Sequence, residues 1–229
     1  MIEVNENEEI SAVHHEADSD KWIFFCHGYG SNKEGSYEMR AERAVEKGYN
    51  AVRFDFRGNG ESDGDFIDQN LSSRIKDLKT VIDFYSPGRI FLFGMSFGGK
   101  VVFHSSEDLD VEAVIGKSPV TYNRIMSKFE KVVEEKGSYT HFADKTIDER
   151  FFQDFRDYSF ESVTENLQVP VAIFHGGSDS TVKFENSARA VENFRTEALL
   201  YKLEGEEHSM TEEGDKKILD MMFAWLENI

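Results

Sequence analysis

Apolar and polar residues alternate over residues 1–4 and 9–15, with the polar stretch NENE between them, which predicts two strands joined as a β-hairpin. The hairpin leads to a continuous apolar run at 22–26, the mark of a strand buried on both faces, which stops at His27-Gly28. A helix over 36–47, a strand over 51–56 and a glycine-rich turn over 57–64 follow. Leu71, Ile75, Leu78, Ile82 and Tyr85 recur at three- and four-residue spacing, an amphipathic helix ended by Pro87-Gly88. Beyond it the pattern predicts a strand at 89–94, a helix from Phe97, strands at 111–115 and 169–174, a helix at 184–194, a strand at 198–203 and a final helix at 211–226.

Strands that alternate with helices imply an α/β fold with a mostly parallel sheet covered on both faces. The opening hairpin is expected to add antiparallel strands at one edge. Residues 120–166 are too long for an ordinary connection and are expected to form a short cap inserted into one domain spanning 1–229.

Composition narrows the setting. Twenty Phe and 39% hydrophobic residues supply a substantial core. The apolar runs are far shorter than the roughly 20 residues a membrane helix needs, and the acidic N-terminus lacks the pattern of a secretory signal. A cytoplasmic protein is expected. Lys and Arg number 26 against 44 Asp and Glu, a net charge of −18. Such a field repels polyanions, so neither nucleic acid nor a membrane surface is an expected partner. The acidity suits solubility and equally a high-salt setting. The single cysteine, Cys26, sits in an apolar run and reads as a buried thiol.

The chemistry concentrates in Gly94-Met95-Ser96-Phe97-Gly98, a GxSxG sequence between a predicted strand and a predicted helix. A serine hydroxyl is a weak nucleophile that needs a base, and the base needs an acid to fix its tautomer. Asp179 and His208 each follow a predicted strand, at the carboxyl edge where open parallel sheets bind ligands. The order Ser96, Asp179, His208 suits this architecture, and the backbone N–H groups of Phe97 and Tyr29 are placed to form an oxyanion hole. Asp144 and Asp148 compete for the acid role but lie in the cap, away from a strand end. His27 and His175 precede glycines at strand ends and are expected to bond loop backbone. His14, His15 and Glu16 do not converge as metal ligands, because neighbours on a strand face opposite ways. No metal site is expected.

Together HGYG at 27–30, RFDFRGNGESDGDF at 53–66, GMSFGG at 94–99, HGGSD at 175–179 and EEHS at 206–209 make the chain resemble the α/β-hydrolase superfamily over nearly its whole length. Within it, the chain is similar to small capped serine esterases, including cinnamoyl- and feruloyl-esterase-like enzymes. The resemblance implies the α/β-hydrolase fold and hydrolysis of esters through an acyl-enzyme, without a metal or organic cofactor. Nine aromatics between residues 122 and 160 suit an apolar roof over an acyl or aromatic pocket, with Tyr122, Phe142 and Phe152 as candidate substrate contacts. The expected substrate is a small or medium uncharged carboxylic ester. Thioesterase and acyl-peptidase chemistry use the same triad and stay open, as does a non-catalytic hydrolase-like module that binds an apolar ligand.

Overall fold

A computed structural model describes residues 1–141 and 145–229. In chain order its elements are β1 (Ile2–Asn5), β2 (Glu8–Ile10), β3 (Ala12–His15), β4 (Lys21–Cys26), α1 (Ser36–Glu46), β5 (Asn50–Phe54), α2 (Leu71–Tyr85), β6 (Arg89–Met95), α3 (Phe97–Ser105) and β7 (Ala113–Lys117). Then come α4 (Ser127–Lys136), β8 (Ser138–His141), β9 (Lys145–Asp148), α5 (Glu149–Phe155), α6 (Phe160–Asn166), β10 (Val171–Gly176), α7 (Phe184–Asn193), β11 (Ala198–Leu203) and α8 (Glu212–Leu226). Among the described residues, no helix is long and apolar enough to cross a membrane.

The main sheet has the order β11-β10-β7-β6-β4-β5-β3. Every pairing is parallel except that of β3 with β5. Because side chains alternate across a strand, each central strand feeds two cores. Phe24 and Cys26 point to one face, with Leu92, Val114 and Ile173, and there meet α2, α3 and the 120–166 segment. Ile23 and Phe25 point to the other, with Phe91, Phe93, Ile115 and Phe174, against α1 and α8. This two-sided burial explains the unbroken apolar runs of β4 and β6, and each fully buried Phe contributes roughly 1.5–3 kcal/mol over an exposed one.

The opening strands differ from the expectation. The stretch 9–15 is two strands, not one. β1 and β2 form their own two-stranded sheet, and only β3 reaches the main sheet. The break falls at Ser11, whose N–H donates to Ser62 Oγ at 2.8 Å and whose carbonyl accepts from the Asp55 N–H at 2.9 Å. Partners some 50 residues away supply hydrogen bonds that local alternation does not foresee. Two strands also run farther than expected: β7 ends at Lys117, and β10 carries His175 and Gly176 opposite Lys202 and Leu203 of β11. Their polar ends looked like loop because their buried partners are remote in sequence.

Residues 120–166 hold α4, the β8–β9 hairpin, α5 and α6 between β7 and the strand that follows. The segment is tied down at the start of α2. There Asp154 of α5 accepts from the Leu71 and Ser72 N–H groups at 2.9 and 3.1 Å, and a carboxylate at a helix N-terminus is electrostatically favourable.

Candidate active site

Ser96 stands between β6 and α3 with φ 53° and ψ −118°, a strained conformation for a residue with a side chain. The turn closes because its neighbours lack side chains. A Cβ on Gly94 would stand 2.3 Å from the Gly98 carbonyl oxygen, and one on Gly98 would stand 2.3 Å from that of Cys26. The serine backbone is pinned as well: its N–H donates to the Lys117 carbonyl at 3.0 Å, and its carbonyl accepts from the N–H groups of Gly99 and Val120 at 3.0 and 2.8 Å.

The loops after β10 and β11 bring Asp179 and His208 to this serine. His208 Nδ1 lies 2.7 Å from Asp179 Oδ2, and His208 Nε2 lies 3.0 Å from Ser96 Oγ. A carboxylate only accepts, so Nδ1 carries the proton and Nε2 is left to accept from the serine hydroxyl. Asp179 Oδ1 takes the N–H groups of Thr181 and Val182 at 2.9 and 2.8 Å. Burial of Asp179 favours its neutral form, but hydrogen bonds from His175, His208 and the Val182 N–H outweigh it and hold the carboxyl well below the usual carboxylate range. The acid stays ionised at any working pH.

Neither of the other strand-end histidines points at the serine. His27 Nδ1 donates to the Gly28 carbonyl at 2.8 Å while its Nε2 accepts from the Phe56 N–H at 3.1 Å. Burial, reinforced by the charge of Arg74, pulls its pKa down to about 3, so it is a neutral brace. His175 donates from Nε2 to the Val182 carbonyl at 2.8 Å, and Nδ1 meets Ser187 Oγ at 2.7 Å. Asp148 accepts from the Arg150 N–H at the start of α5 and pairs with the Arg150 guanidinium, while Asp144 lies outside the described residues. His14 stacks on Trp22 with ring centroids 4.7 Å apart, and His15 takes the Arg53 Nε–H at 3.0 Å. Among the described residues, no group of His, Cys, Asp and Glu is arranged to hold a metal ion.

Gly28 brings the loop after β4 against the serine, close enough that a Cβ on it would lie 3.2 Å from Ser96 Cβ. Tyr29 comes next. Phe97 opens α3, where the first N–H groups have no acceptor within the helix. Tyr29, Ser96, Phe97 and His208 share the wall of a cavity of about 610 Å³. From the 120–166 segment, Ile125, Met126, Lys128, Phe129, Tyr139 and Ile147 line it as a roof.

Of the aromatics expected to touch substrate, Phe142 lies outside the described residues. Tyr122 and Phe152 are buried away from this cavity. Tyr122 packs the Arg189 guanidinium at 4.2 Å and the Phe160 ring at 5.2 Å, and Asn193 Nδ2 donates to its hydroxyl at 3.1 Å. Phe152 sits edge-on to Phe151, with centroids 5.2 Å apart. Two other aromatics of the segment, Phe129 and Tyr139, do line the cavity. Which of the aromatics face the cavity depends on how α4 and the β8–β9 hairpin fold over it, and the aliphatic roof residues carry no signal of their own.

Sequence reading also missed the buried cations around the serine. Arg74 lies under the site, its guanidinium 5.0, 5.5 and 5.6 Å from the rings of Phe56, Phe66 and Phe97. Lys100 of α3 donates to the Thr121 carbonyl and to Asn123 Oδ1, each at 2.9 Å, and burial lowers its pKa to about 7. Lys117 is wholly buried.

A family model described as serine aminopeptidase, S33, matches residues 17–141, more than half of the chain. The human palmitoyl-protein thioesterase ABHD10, mitochondrial, is 26% identical over 216 residues, a match that takes in 86% of this chain and 70% of that protein. The solved structure of alpha/beta hydrolase domain-containing protein 10 from mouse superposes with a TM-score of 0.85 at 20% identity, covering 97% of this chain and 96% of that one. Est1E from Butyrivibrio proteoclasticus, solved with ferulic acid bound, gives 0.84 at 18% identity, covering 97% and 96%. Those two likenesses establish the fold, and the strand-to-helix serine turn lies inside the matched span. This chain belongs to the serine aminopeptidase S33 family of α/β-hydrolases.

Proposed function

We propose that the protein is a serine hydrolase that cleaves carboxylic esters or thioesters of apolar acyl groups. One observation carries the reading: the unbroken path from Asp179 through His208 to Ser96 Oγ opens on an apolar cavity of about 610 Å³. Ser96 Oγ attacks the acyl carbonyl as His208 Nε2 takes its proton. The resulting imidazolium is stabilised by Asp179, and the proton passes to the leaving alcohol or thiol. The N–H groups of Tyr29 and Phe97 hold the oxyanion, each worth about 3–4 kcal/mol to the transition state. Water, activated by the same histidine, then releases the acid and frees the serine.

The cavity roof of Ile125, Met126 and Ile147 favours an uncharged acyl group. That the human relative is named a thioesterase supports keeping thioesters beside esters. The test is hydrolysis of a short chromogenic ester by wild type and Ser96→Ala of confirmed fold, together with labelling by a fluorophosphonate. Loss of both turnover and labelling in Ser96→Ala is the expected result. Equal turnover in the two proteins overturns the reading, and absence of labelling in wild type favours a ligand-binding module. An oxygen ester and a thioester of one acyl group then rank the leaving groups. The cytoplasm remains the compartment we infer, although the human relative is named as mitochondrial; fractionation decides it.

A further inference from the structure

Lys117 ends β7 and is buried beneath the serine and histidine loops. Its carbonyl accepts the Ser96 N–H at 3.0 Å. Its ammonium donates to the carbonyl of Ser209, the residue after His208, at 3.0 Å and is hydrogen-bonded to Asp215 of α8. The other Asp215 oxygen takes the Arg40 guanidinium of α1 at 2.7 Å. One residue thus touches the backbone of the nucleophile and the backbone beside the base, and is braced from two helices behind the sheet.

From this geometry we infer that Lys117 is a positioning residue, whose charged ammonium sets the His208 loop in register with Ser96. The inference rests on the reading of Ser96 and His208 as the working pair. Its physical basis is positioning: a catalytic group displaced by about 1 Å can cost on the order of a hundredfold in rate, and a loss confined to the transition state lowers kcat while leaving KM.

The cluster also predicts when this support fails. Two cations share one buried carboxylate, that of Asp215. A guanidinium does not give up its proton, which leaves Lys117 as the one that does. The groups facing it are Arg40 from α1, Asp215 from α8 and Glu206 from the histidine loop. Burial and the charge of Arg40 bring Lys117 down to about 8 against the pull of Asp215 and Glu206. Above that pH the charge-assisted hold on Ser209 weakens.

Lys117→Met is a suitable test because it leaves Asp215 paired one to one with Arg40 and strands no buried charge. We expect kcat for a chromogenic ester at pH 7 to fall on the order of ten- to a hundredfold with KM within about twofold. The advantage of wild type over the variant should narrow as pH rises through about 8. Lys117→Arg, charged at every pH, should keep more activity than Lys117→Met and lose that narrowing. Ser96→Ala is assayed alongside. A cooperatively melting Lys117→Met protein with wild-type kcat and pH profile, where Ser96→Ala is inactive, overturns this inference alone. Full activity in Ser96→Ala overturns it together with the reading beneath it.

Discussion

Asp179 Oδ2 lies 2.7 Å from His208 Nδ1 and 3.2 Å from His175 Nε2, so one buried carboxylate oxygen faces two histidines from two different strand ends. His175 already donates its Nε2 proton to the Val182 carbonyl, which places its N–H between that carbonyl and the acid. The arrangement keeps Asp179 ionised and aimed at His208.

Asp179→Asn should therefore preserve the fold and destroy the chemistry. The amide cannot hold His208 in the tautomer that leaves Nε2 free, and kcat is expected to fall by on the order of 10³–10⁴. Circular dichroism and ester turnover on the same preparation check this. A variant with turnover near wild type would move the acid elsewhere.

A milder loss is expected at His175. His175→Gln removes the Nε2 contacts to the Val182 carbonyl and to Asp179 and the Nδ1 bond with Ser187, without touching Ser96. A drop in kcat of roughly tenfold, with KM little changed, follows if its role is to orient the acid. Steady-state kinetics on the folded variant measure it, and an unchanged kcat would make His175 a packing residue only.

Gly98 is constrained by space and not by dihedral. Gly98→Ala drives a Cβ to 2.3 Å from the Cys26 carbonyl oxygen and 2.5 Å from that of His27, both backbone atoms at the end of β4 and just beyond it. A destabilisation of about 3 kcal/mol is expected, near the top of the usual range for overpacking. At Gly48, φ is +80° and nothing lies within 4 Å of the place a Cβ would take, so Gly48→Ala should cost only about 1 kcal/mol from its dihedral. Urea unfolding of the pair tests the contrast, which reversed values would refute.

Buried Lys100 links stability to pH. Its value of about 7 in the fold lies below the roughly 10.4 of an unfolded lysine. Between these limits the unfolded chain binds more protons, so stability due to this residue rises with pH across the window. Lys100→Met should remove that rise, making the wild-type advantage grow by on the order of 1–2 kcal/mol from pH 7 to pH 9. Urea melts at several pH values measure it, and a constant difference would refute it.

The cavity roof should set acyl length. Ile125 is half-buried and lines the cavity, so Ile125→Trp shortens the space with little repacking behind it. The ratio of kcat/KM for long over short acyl esters is expected to drop by roughly tenfold. An unchanged ratio would place the acyl chain elsewhere.

Much of this protein was legible along the chain because its determinants are local. β11 spans residues 198–203 as its apolar run predicts, and the helix at 71–85 follows its three- and four-residue spacing. Part of the serine turn is just as local, since a Cβ on Gly94 would strike the Gly98 carbonyl four residues on, whereas Gly98 is needed to clear the remote Cys26 carbonyl. Periodicity and the Gly94 turn both act within a few residues, so order of elements, parallel sheet and the candidate Ser96, Asp179 and His208 could be read in advance.

What folding alone decided depends on partners far apart in sequence. Ser11 breaks a strand because Ser62 and Asp55 meet it, and Tyr122 packs against Arg189 instead of facing the cavity. Lys117 falls outside the strand expected at 111–115, and its place at the end of β7 is fixed by Ser209 and Asp215, across more than 90 residues of chain. A buried cation is stable only where an acceptor and an opposite charge converge, and that convergence is a property of the tertiary packing.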